Sequence, residues 1–518
     1  MVHLHTVHGD DANASASTSG AHQANEANTL LKLTSEADGF TTSVYGSRFA
    51  EQDLPRFRMP EKAMPREIAY SMIKDDLSMD NNPKLNLASF VTTYMEDEAE
   101  KLMVEALSKN FIDYEEYPQS ADIQTRCVNM IGDLFHAPSG SAVGTSSVGS
   151  SEAIMLAVLA MKRRWKMRRQ AEGKSAERPN LIMSSAVQVC WEKATRYFEI
   201  EDRFINCTPT RFVIDPEEMV SRCDENTIGC VLILGTTYTG HYEDVKAVND
   251  LLLERNINVP IHVDAASGGF VAPFIVPDLE WDFRCEKVVS INVSGHKYGL
   301  VYPGYLPEDL VFNIDYLGAQ QSSFTLNFSK GASQIIGQYY QLIRLGKQGY
   351  RSIMSNLTRT ADHLATSLQA LGFVIMSESS GRGLPLVAFR FSGPDDGPKG
   401  RSDRHYDEFS LARQLRFHGW VVPAYTMAPN TNKMKMLRVV VREDFSRPRC
   451  DLLLSDIKLC LGLLEDMDKE TVQKQEQTMR THHHSSGRAK PSHQKNTHHY
   501  KDETHSLQGK TGKTHAVC

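Results

Sequence analysis

The sequence predicts an α/β fold in which a mainly parallel sheet carries helices on both faces, followed by a smaller C-terminal α+β domain. Two observations indicate this. Apolar runs of strand length, such as GCVLILG (229–235) and PIHVDA (260–265), alternate with helical stretches, as buried parallel strands do. After residue 345 this alternation gives way to a long helix near 348–371 and to the strand MLRVVV (436–441).

The other elements follow in chain order. Helices are predicted at 150–168, 188–199, 243–255, 406–418 and 451–467, and strands at LIMSS (181–185), KVVSINV (287–293) and GLPLVAFRF (383–391). The two ends, 1–29 and a His-rich tail at 469–518, are predicted to be disordered because they carry few large apolar side chains. Between them we expect an N-terminal helical segment (30–84), a large domain (85–350) and a small domain (351–468).

Composition excludes several classes of protein. The chain has 518 residues, 41% of them hydrophobic, and a net charge of -7, which argues against a general nucleic-acid binder. It has no apolar run of about 18 residues, so we expect no membrane span. Its nine cysteines form no CxxC pair, which favours reduced thiols in a cytoplasmic protein and no metal site.

Three segments carry candidate functional residues. Ser150 and Ser151 open a helix after a Gly/Ser/Thr loop and could bind a phosphate, although ordinary helix capping explains them better when the segment is taken alone. Asp264 ends an apolar strand and could face a ligand, or could simply cap a loop. Lys297, in SGHKYG (294–299), could be a nucleophile, or an ordinary surface lysine in a turn.

The combination of the three is more specific than its parts. Pyridoxal phosphate needs a lysine for its aldehyde, a cradle for its phosphate and a carboxylate beside its pyridine nitrogen. A helix start, a strand-end Asp and a strand-end Lys occur here in that order. Asp264 and Lys297 are separated by enough chain for a crossover and the next strand. The sequence therefore predicts pyridoxal phosphate as cofactor.

These segments carry a wider resemblance over about residues 31–467. The chain resembles the pyridoxal-phosphate-dependent glutamate decarboxylases of the aspartate-aminotransferase-like fold (fold type I), which implies a sheet of the seven-stranded type. The motifs are NLASF (86–90), KNFIDYEEYPQSA (109–121), RCVNMIGDLFHAP (126–138), GSSEA (149–153), VQVCWEKATRYF (187–198), TYTGHYE (237–243), HVDAASGGFVAPF (262–274), SGHKYGL (294–300) and TLNFSKGASQII (325–336).

The resemblance implies a role for each matching residue in cofactor binding. Lys297 would be catalytic and would form the Schiff base with the cofactor. The phosphate would be bound by Ser150, Ser151 and His296, with Ser294 beside them and Ser329 reaching in from a neighbouring subunit. Asp264 would pair with the pyridine nitrogen, Ala266 and Gln188 would lie on the two ring faces, and Thr237 would also contact the cofactor.

The resemblance also implies the substrate site and the reaction. Arg438 would hold the α-carboxylate of L-glutamate, and Ser89, Phe90, Asn110 and Asp113 would form the pocket for its distal carboxylate; the family usually has Thr where this chain has Ser89. L-glutamate would become 4-aminobutanoate (GABA) and CO₂ through an external aldimine and a quinonoid, with one proton consumed. A homodimer or larger homo-oligomer is implied as well. Calmodulin binding has little support, because the tail lacks Trp and an amphipathic basic helix.

The chain departs from the family after Gly304. The family continues there through a Gly-Trp strand and a charged turn, whereas Gly304 is followed at once by Tyr305 and LPEDLVF (306–312). Roughly ten residues, the length of one strand and its turn, are absent. We expect the loss to leave a sheet edge unpaired near the site. Two alternatives to glutamate decarboxylation remain. One is a decarboxylase of another amino acid, aspartate or an aromatic one; the other, which the deletion suggests, is a catalytically impaired homologue.

Overall fold

The computed structural model describes residues 54–112, 115–138, 143–303, 314–316, 319–321, 329–394, 396 and 403–475. The chain divides into two compact units, Met1–Asn82 and Pro83–Cys518. The predicted disorder of 1–29 and the predicted absence of a strand after Gly304 lie outside the described residues. At the start of the predicted tail, residues 469–475 are helical. Val472 anchors them, because its side chain is buried in the apolar core.

The described part of the first unit contains helix α1 (Arg66–Leu77). Its buried residues Ile68 and Met72 pack with Leu54 and Met64. Other apolar side chains of the helix, Tyr70, Ile73 and Leu77, are exposed.

The second unit alternates helices and strands from α2 to α11. Its helices are α2 (Asp97–Glu105), α3 (Pro118–Leu134), α4 (Ser150–Ala171), α5 (Val189–Tyr197), α6 (Pro216–Ser221), α7 (Val245–Glu254), α8 (Ala272–Ile275), α9 (Ser333–Ala370), α10 (Glu408–Phe417) and α11 (Arg447–Asp466). Its strands are β1 (Asn180–Ser184), β2 (Glu201–Ile205), β3 (Thr227–Ile233), β4 (Ile261–Asp264), β5 (Val288–Asn292), β6 (Ile314–Tyr316), β7 (Ala319–Gln321), β8 (Phe373–Ile375), β9 (Leu386–Phe391), β10 (Ala424–Thr426) and β11 (Lys435–Val440).

Strands β1 to β5 form one parallel sheet in the order β2-β1-β3-β4-β5. Every residue of β3 and β4 is buried, because helices cover both faces of the sheet. The predicted α/β class with a parallel sheet is confirmed. Within the described residues the sheet has five strands instead of the seven expected from the resemblance. Asp264 and Asn292 are register partners at the ends of β4 and β5, so their side chains meet at one edge.

Strand β5 lies at the border of this sheet. In the described part of the chain it pairs with β4 alone. Val289 is 38% exposed, and a cavity of 630 Å³ is lined by β5 together with residues 143–150. The unpaired edge expected from the sequence stays a prediction, because residues 304–313, which follow the lysine turn, lie outside the described residues.

A second sheet, in the order β10-β11-β9-β8, is antiparallel. Helix α9 packs against both β8 and β9, and it is interrupted at Gly346, where φ is 56° and ψ is -176°. Glycine tolerates this backbone conformation because it lacks a Cβ atom. None of the helices in the described ranges has the length and apolar character needed to cross a membrane.

Candidate active site

The carboxyl ends of β3, β4 and β5 bring the predicted catalytic residues to one edge of the sheet. Asp264 is the last residue of β4, and Lys297 lies in the turn that follows β5. Adjacent parallel strands end at the same side, which is where open α/β sheets bind their ligands. Two side chains that lie 33 positions apart in sequence thus share one side of the sheet.

Asp264 is buried and held by three donors. The indole Nε1–H of Trp191 donates to Oδ2 at 2.7 Å, and the Asn292 amide donates to Oδ1 at 3.0 Å. The backbone N–H of Ala266 also donates to Oδ1, at 3.2 Å. These bonds come from helix α5, from β5 and from the following loop, so the carboxylate has one fixed orientation.

Lys297 is half-buried, with its Nζ 3.3 Å from the hydroxyl of Ser267 and 5.6 Å from the ring centroid of Phe90. Thr92 fixes the backbone of this turn twice. Its N–H donates to the carbonyl of His296 at 2.9 Å, and its hydroxyl donates to the carbonyl of Lys297 at 2.8 Å. The segment that carries Phe90 is therefore joined to the lysine turn.

The polar side chains that line the cavity beside β5 include Ser150, Ser294, His296 and Lys330. Ser150 begins α4 and shares a short hydrogen bond with the hydroxyl of Ser294. Burial, reinforced by the charge of Lys297, lowers the pKa of His296 to about 4, so this imidazole is neutral near pH 7. Burial also lowers the pKa of Lys330, an effect that the carboxylate of Glu152 opposes.

This cluster fits a phosphate group. The first turn of α4 leaves backbone N–H groups without helical acceptors, and the positive end of the helix dipole favours an anion. Ser150 and Ser294 supply hydroxyl donors, and Lys330 supplies an ammonium group. Ser151, the neighbour of Ser150, is exposed.

Other predicted cofactor residues lie around the same strand ends. Gln188 caps α5 and accepts a hydrogen bond from the backbone of Cys190 at 2.7 Å. Ala266 is buried, and its carbonyl accepts from the N–H of Ser294 at 3.2 Å. The carbonyl of Thr237 accepts a hydrogen bond from Arg438. All three positions follow strands of the parallel sheet, the usual origin of ligand-binding residues in this architecture.

Arg438 comes from β11 of the second sheet and is 1% exposed. Its Nη2 donates to the carbonyl of Ala88 at 2.6 Å and to the hydroxyl of Tyr425 at 3.2 Å. Its guanidinium carbon lies 4.9 Å from the ring centroid of Phe90. The buried Nε has no hydrogen-bond partner. These partners carry no formal charge, so the group is suited to receive a carboxylate.

The structure brings some of the predicted substrate residues together and separates others. Ser89 and Phe90 lie on one segment, with the Ser89 hydroxyl accepting from the N–H of Val91 at 3.1 Å. Asn110 is exposed and accepts from the backbone N–H of Lys330 at 2.8 Å, which joins it to the segment of Ser329, also exposed. Asp113 lies outside the described residues.

Five residues of the site were not predicted. They are Trp191, His262, Ser267, Asn292 and Lys330. Trp191 and Lys330 stand inside motifs quoted above, and Asn292 occupies the last position of β5. The sequence signal for such residues is a polar side chain within an apolar stretch. It indicates a buried hydrogen bond, because a buried polar group needs a partner.

Comparison with known proteins identifies the family. Residues 60–392 match the family described as "Pyridoxal-dependent decarboxylase conserved domain". Glutamate decarboxylase of Petunia hybrida is 50% identical over 456 residues, which cover 85% of this chain and 89% of that protein. Glutamate decarboxylase 1 of Arabidopsis thaliana is 50% identical over 463 residues, covering 86% and 90%.

A solved structure agrees with the sequence relatives. The glutamate decarboxylase of Lactobacillus brevis CGMCC 1306 superposes with a TM-score of 0.76 at 40% identity, and the match covers 82% of this chain and 98% of that one. The family predicted from the motifs is confirmed, and the chain belongs to the pyridoxal-dependent decarboxylases, within them to the glutamate decarboxylases.

Proposed function

We propose that this protein is a glutamate decarboxylase that converts L-glutamate to 4-aminobutanoate and CO₂ with pyridoxal phosphate as cofactor, consuming one proton. One observation carries the proposal. Lys297, the buried carboxylate of Asp264 and a polar cluster suited to a phosphate meet at one edge of the sheet. The buried guanidinium of Arg438 and the amine of Lys297 both lie near the ring of Phe90. The identity to glutamate decarboxylases supports glutamate as the substrate.

The residues of the sheet edge would hold the cofactor. Ser150, Ser151, Ser294, His296 and Lys330 would bind the phosphate, with Ser329 contributed by a second subunit. Asp264 would pair with the pyridine nitrogen, Gln188 and Ala266 would lie against the ring, and Thr237 would contact the cofactor. When bound, the cofactor accepts the electron pair released as the α-carboxylate leaves as CO₂.

The chain's own groups would orient the substrate and supply the proton. Arg438 would bind the α-carboxylate, because its guanidinium is buried and fixed by three neutral partners. Ser89, Phe90, Asn110 and Asp113 would form the distal-carboxylate pocket. The amine of Lys297, hydrogen-bonded to Ser267, would deliver the proton that replaces the departing CO₂.

An assay with matched lysine variants tests the proposal. Purified protein is supplied with pyridoxal phosphate and, in turn, with L-glutamate, L-aspartate and L-tryptophan, and the amine product and CO₂ are measured. We expect 4-aminobutanoate from glutamate, and we expect Lys297→Ala to lower the rate by about 10³-fold or more. Lys347→Ala, at a side chain that is 68% exposed, serves as control. A preference for another amino acid would refute glutamate as the substrate.

We also infer a homodimer or larger homo-oligomer in the cytoplasm. Asn110 and Ser329 are both exposed, and Asn110 accepts a hydrogen bond from the backbone of Lys330, the neighbour of Ser329, which supports a role in the site of a neighbouring copy. The eight described cysteines form no disulfide with one another, which agrees with a reducing compartment. Calmodulin is not part of the proposal.

One observation favours a second candidate, a catalytically impaired homologue. The edge of β5 that lacks a partner strand among the described residues, and the 630 Å³ cavity, adjoin the residues proposed to bind the phosphate. Peptide mass spectrometry of the natural protein across 297–312 tests whether Gly304 is joined to Tyr305. If that junction is present and the purified chain neither binds pyridoxal phosphate nor releases CO₂, the impaired homologue is correct.

A further inference from the structure

A chain of buried polar side chains leads from Asp264 back into the sheet. Asn292 bonds to Asp264, His262 Nε2 lies 2.8 Å from the side-chain oxygen of Asn292, and His262 Nδ1 lies 2.7 Å from the hydroxyl of Ser290. Asp264, Asn292 and His262 are 6%, 4% and 1% exposed. On the other carboxylate oxygen, Trp191 donates from helix α5, and its ring packs edge-on against that of His262 at 5.2 Å.

The donor and the acceptor of each of these side-chain hydrogen bonds can be assigned from their chemistry. The carboxylate of Asp264 can only accept, so Asn292 must turn its NH₂ group toward it and its oxygen toward His262. His262 must then donate from Nε2. Burial lowers the pKa of His262, so its ring is neutral and Nδ1 accepts from the hydroxyl of Ser290. Rotation of the Asn292 amide would break two bonds at once.

The three donors to Asp264 leave a defined acceptor position. A carboxylate has about four lone-pair positions. Asn292 and the N–H of Ala266 use two on Oδ1, and Trp191 uses one on Oδ2. The remaining position is on Oδ2, and it can accept one further N–H.

We propose that Trp191, Asn292 and His262 are positioning residues that hold Asp264 ready to accept the pyridinium N–H of the cofactor. Trp191 and Asn292 act by direct hydrogen bonds, and His262 acts through Asn292. The inference rests on the proposed function, since it takes Asp264 to be the partner of the ring nitrogen. It adds three residues to which the sequence analysis gave no role.

A pair of ligands tests this without measuring turnover. Pyridoxal phosphate and its 1-deaza analogue, in which a C–H group replaces the ring nitrogen, differ only at the atom that Asp264 would contact. The dissociation constant of each is measured for the full-length protein stripped of cofactor, and their ratio gives the preference for the nitrogen. General damage to the fold affects both ligands and cancels in the ratio.

We expect Asp264→Asn to abolish the preference, and Asn292→Leu and Trp191→Phe to lower it by about tenfold each, the size of one hydrogen bond to a charged group. His262→Leu should also lower it, whereas His262→Gln, which keeps an N–H donor, should restore most of it. Trp281→Phe is the matched control, because Trp281 is also a buried indole but packs on Phe135 in a different apolar cluster from that of Trp191. Its preference should equal that of the unaltered protein.

The outcomes separate this inference from the proposed function. If Asp264→Asn abolishes the preference while Asn292→Leu, Trp191→Phe and His262→Leu keep it, the positioning role is wrong and the role of Asp264 stands. If Asp264→Asn itself keeps the preference, Asp264 does not pair with the ring nitrogen, and both the assignment and the inference built on it fail.

Discussion

Strands β4 and β5 are neighbours in one sheet and both carry residues to the active site, yet their surroundings differ. β4 is paired on both sides, and all four of its residues are buried. β5 is paired with β4, and within the described residues its other side faces a cavity, with Val289 38% exposed. Asp264 thus ends a strand that is paired on both sides. Asn292 ends, and Lys297 follows, a strand that is paired on one side within the described residues.

The difference shows where the site obtains its rigidity. Hydrogen bonds across β4 and β5 tie Asn292 and His262 to Asp264, so the two strand ends are joined to each other. The lysine turn is held separately, through Thr92. Side-chain and backbone bonds from other elements therefore support the end of β5, where the sheet itself gives support on one side only.

The largest expected effect is a contrast in core stability. Ile261→Ala in β4 removes a fully buried side chain and should lower the free energy of unfolding by about 2–5 kcal/mol. Val289→Ala in β5 should change it by no more than about 0.5 kcal/mol, because its side chain is partly exposed. Urea unfolding of the two variants measures both values. A loss at Val289 as large as that at Ile261 would mean that the edge is packed in the native assembly.

A second effect concerns Glu243, a buried residue in the segment that follows β3, the neighbour of β4 on the side away from β5. Its carboxyl accepts from the N–H of Ile233 at 2.8 Å, and complete burial raises its pKa to about 7. The folded protein therefore keeps this proton up to about pH 7, whereas the unfolded chain releases it near pH 4.5. The resulting stabilisation, about 3 kcal/mol, is complete below pH 4.5 and is lost as pH rises through 7.

Glu243→Gln tests this effect, because glutamine does not titrate. Between pH 5 and 8 the free energy of unfolding of the unaltered protein should fall relative to that of the variant. Other titrating groups, including His296, are common to both proteins and cancel in the difference. Parallel curves for the two proteins over this range would show that Glu243 ionises alike in the folded and unfolded states.

The smallest effect on stability is expected at the edge of β5. Val289→Lys should shift the free energy of unfolding by no more than about 0.5 kcal/mol, while the added charge opposes edge-to-edge association of strands. Light scattering during mild heating should show slower aggregation. Leu159→Lys adds the same charge on α4, where Leu159 is 40% exposed, and should have less effect. If aggregation is slowed equally in the two variants, the change in net charge is the cause and the edge of β5 is not.

The sequence predicted the elements of the fold well, and it predicted candidate site groups at strand ends, where the structure places Asp264 and Lys297. The run at 229–235 is strand β3 at Thr227–Ile233, and the helix expected at 150–168 is α4 at Ser150–Ala171. Such elements are readable because apolar periodicity and capping residues are local signals. Asp264 and Lys297 were predicted because strand ends of α/β sheets carry ligand-binding residues.

What the sequence did not predict depends on register and on distant contacts. The pairing of Asp264 with Asn292 follows from the alignment of β4 with β5, including its shift after Ile261, and nothing local specifies it. Trp191 and His262 lie within buried elements, where a polar atom indicates that a partner exists but does not say which distant residue it is. The family resemblance assigned Asn110 to the substrate pocket. Its hydrogen bond with the backbone of Lys330, 220 positions away, is seen only in the folded structure.

The hydrogen bond from Arg438 to the carbonyl of Ala88 joins residues 350 positions apart. During synthesis at about 5–20 residues per second, the arginine leaves the ribosome about 20–70 seconds after its partner. Until then the segment around Phe90 lacks the guanidinium that packs on it. A nascent chain can therefore complete β1 to β5 before it has an assembled site, and a chain that terminates before β11 carries the lysine and the aspartate without the arginine.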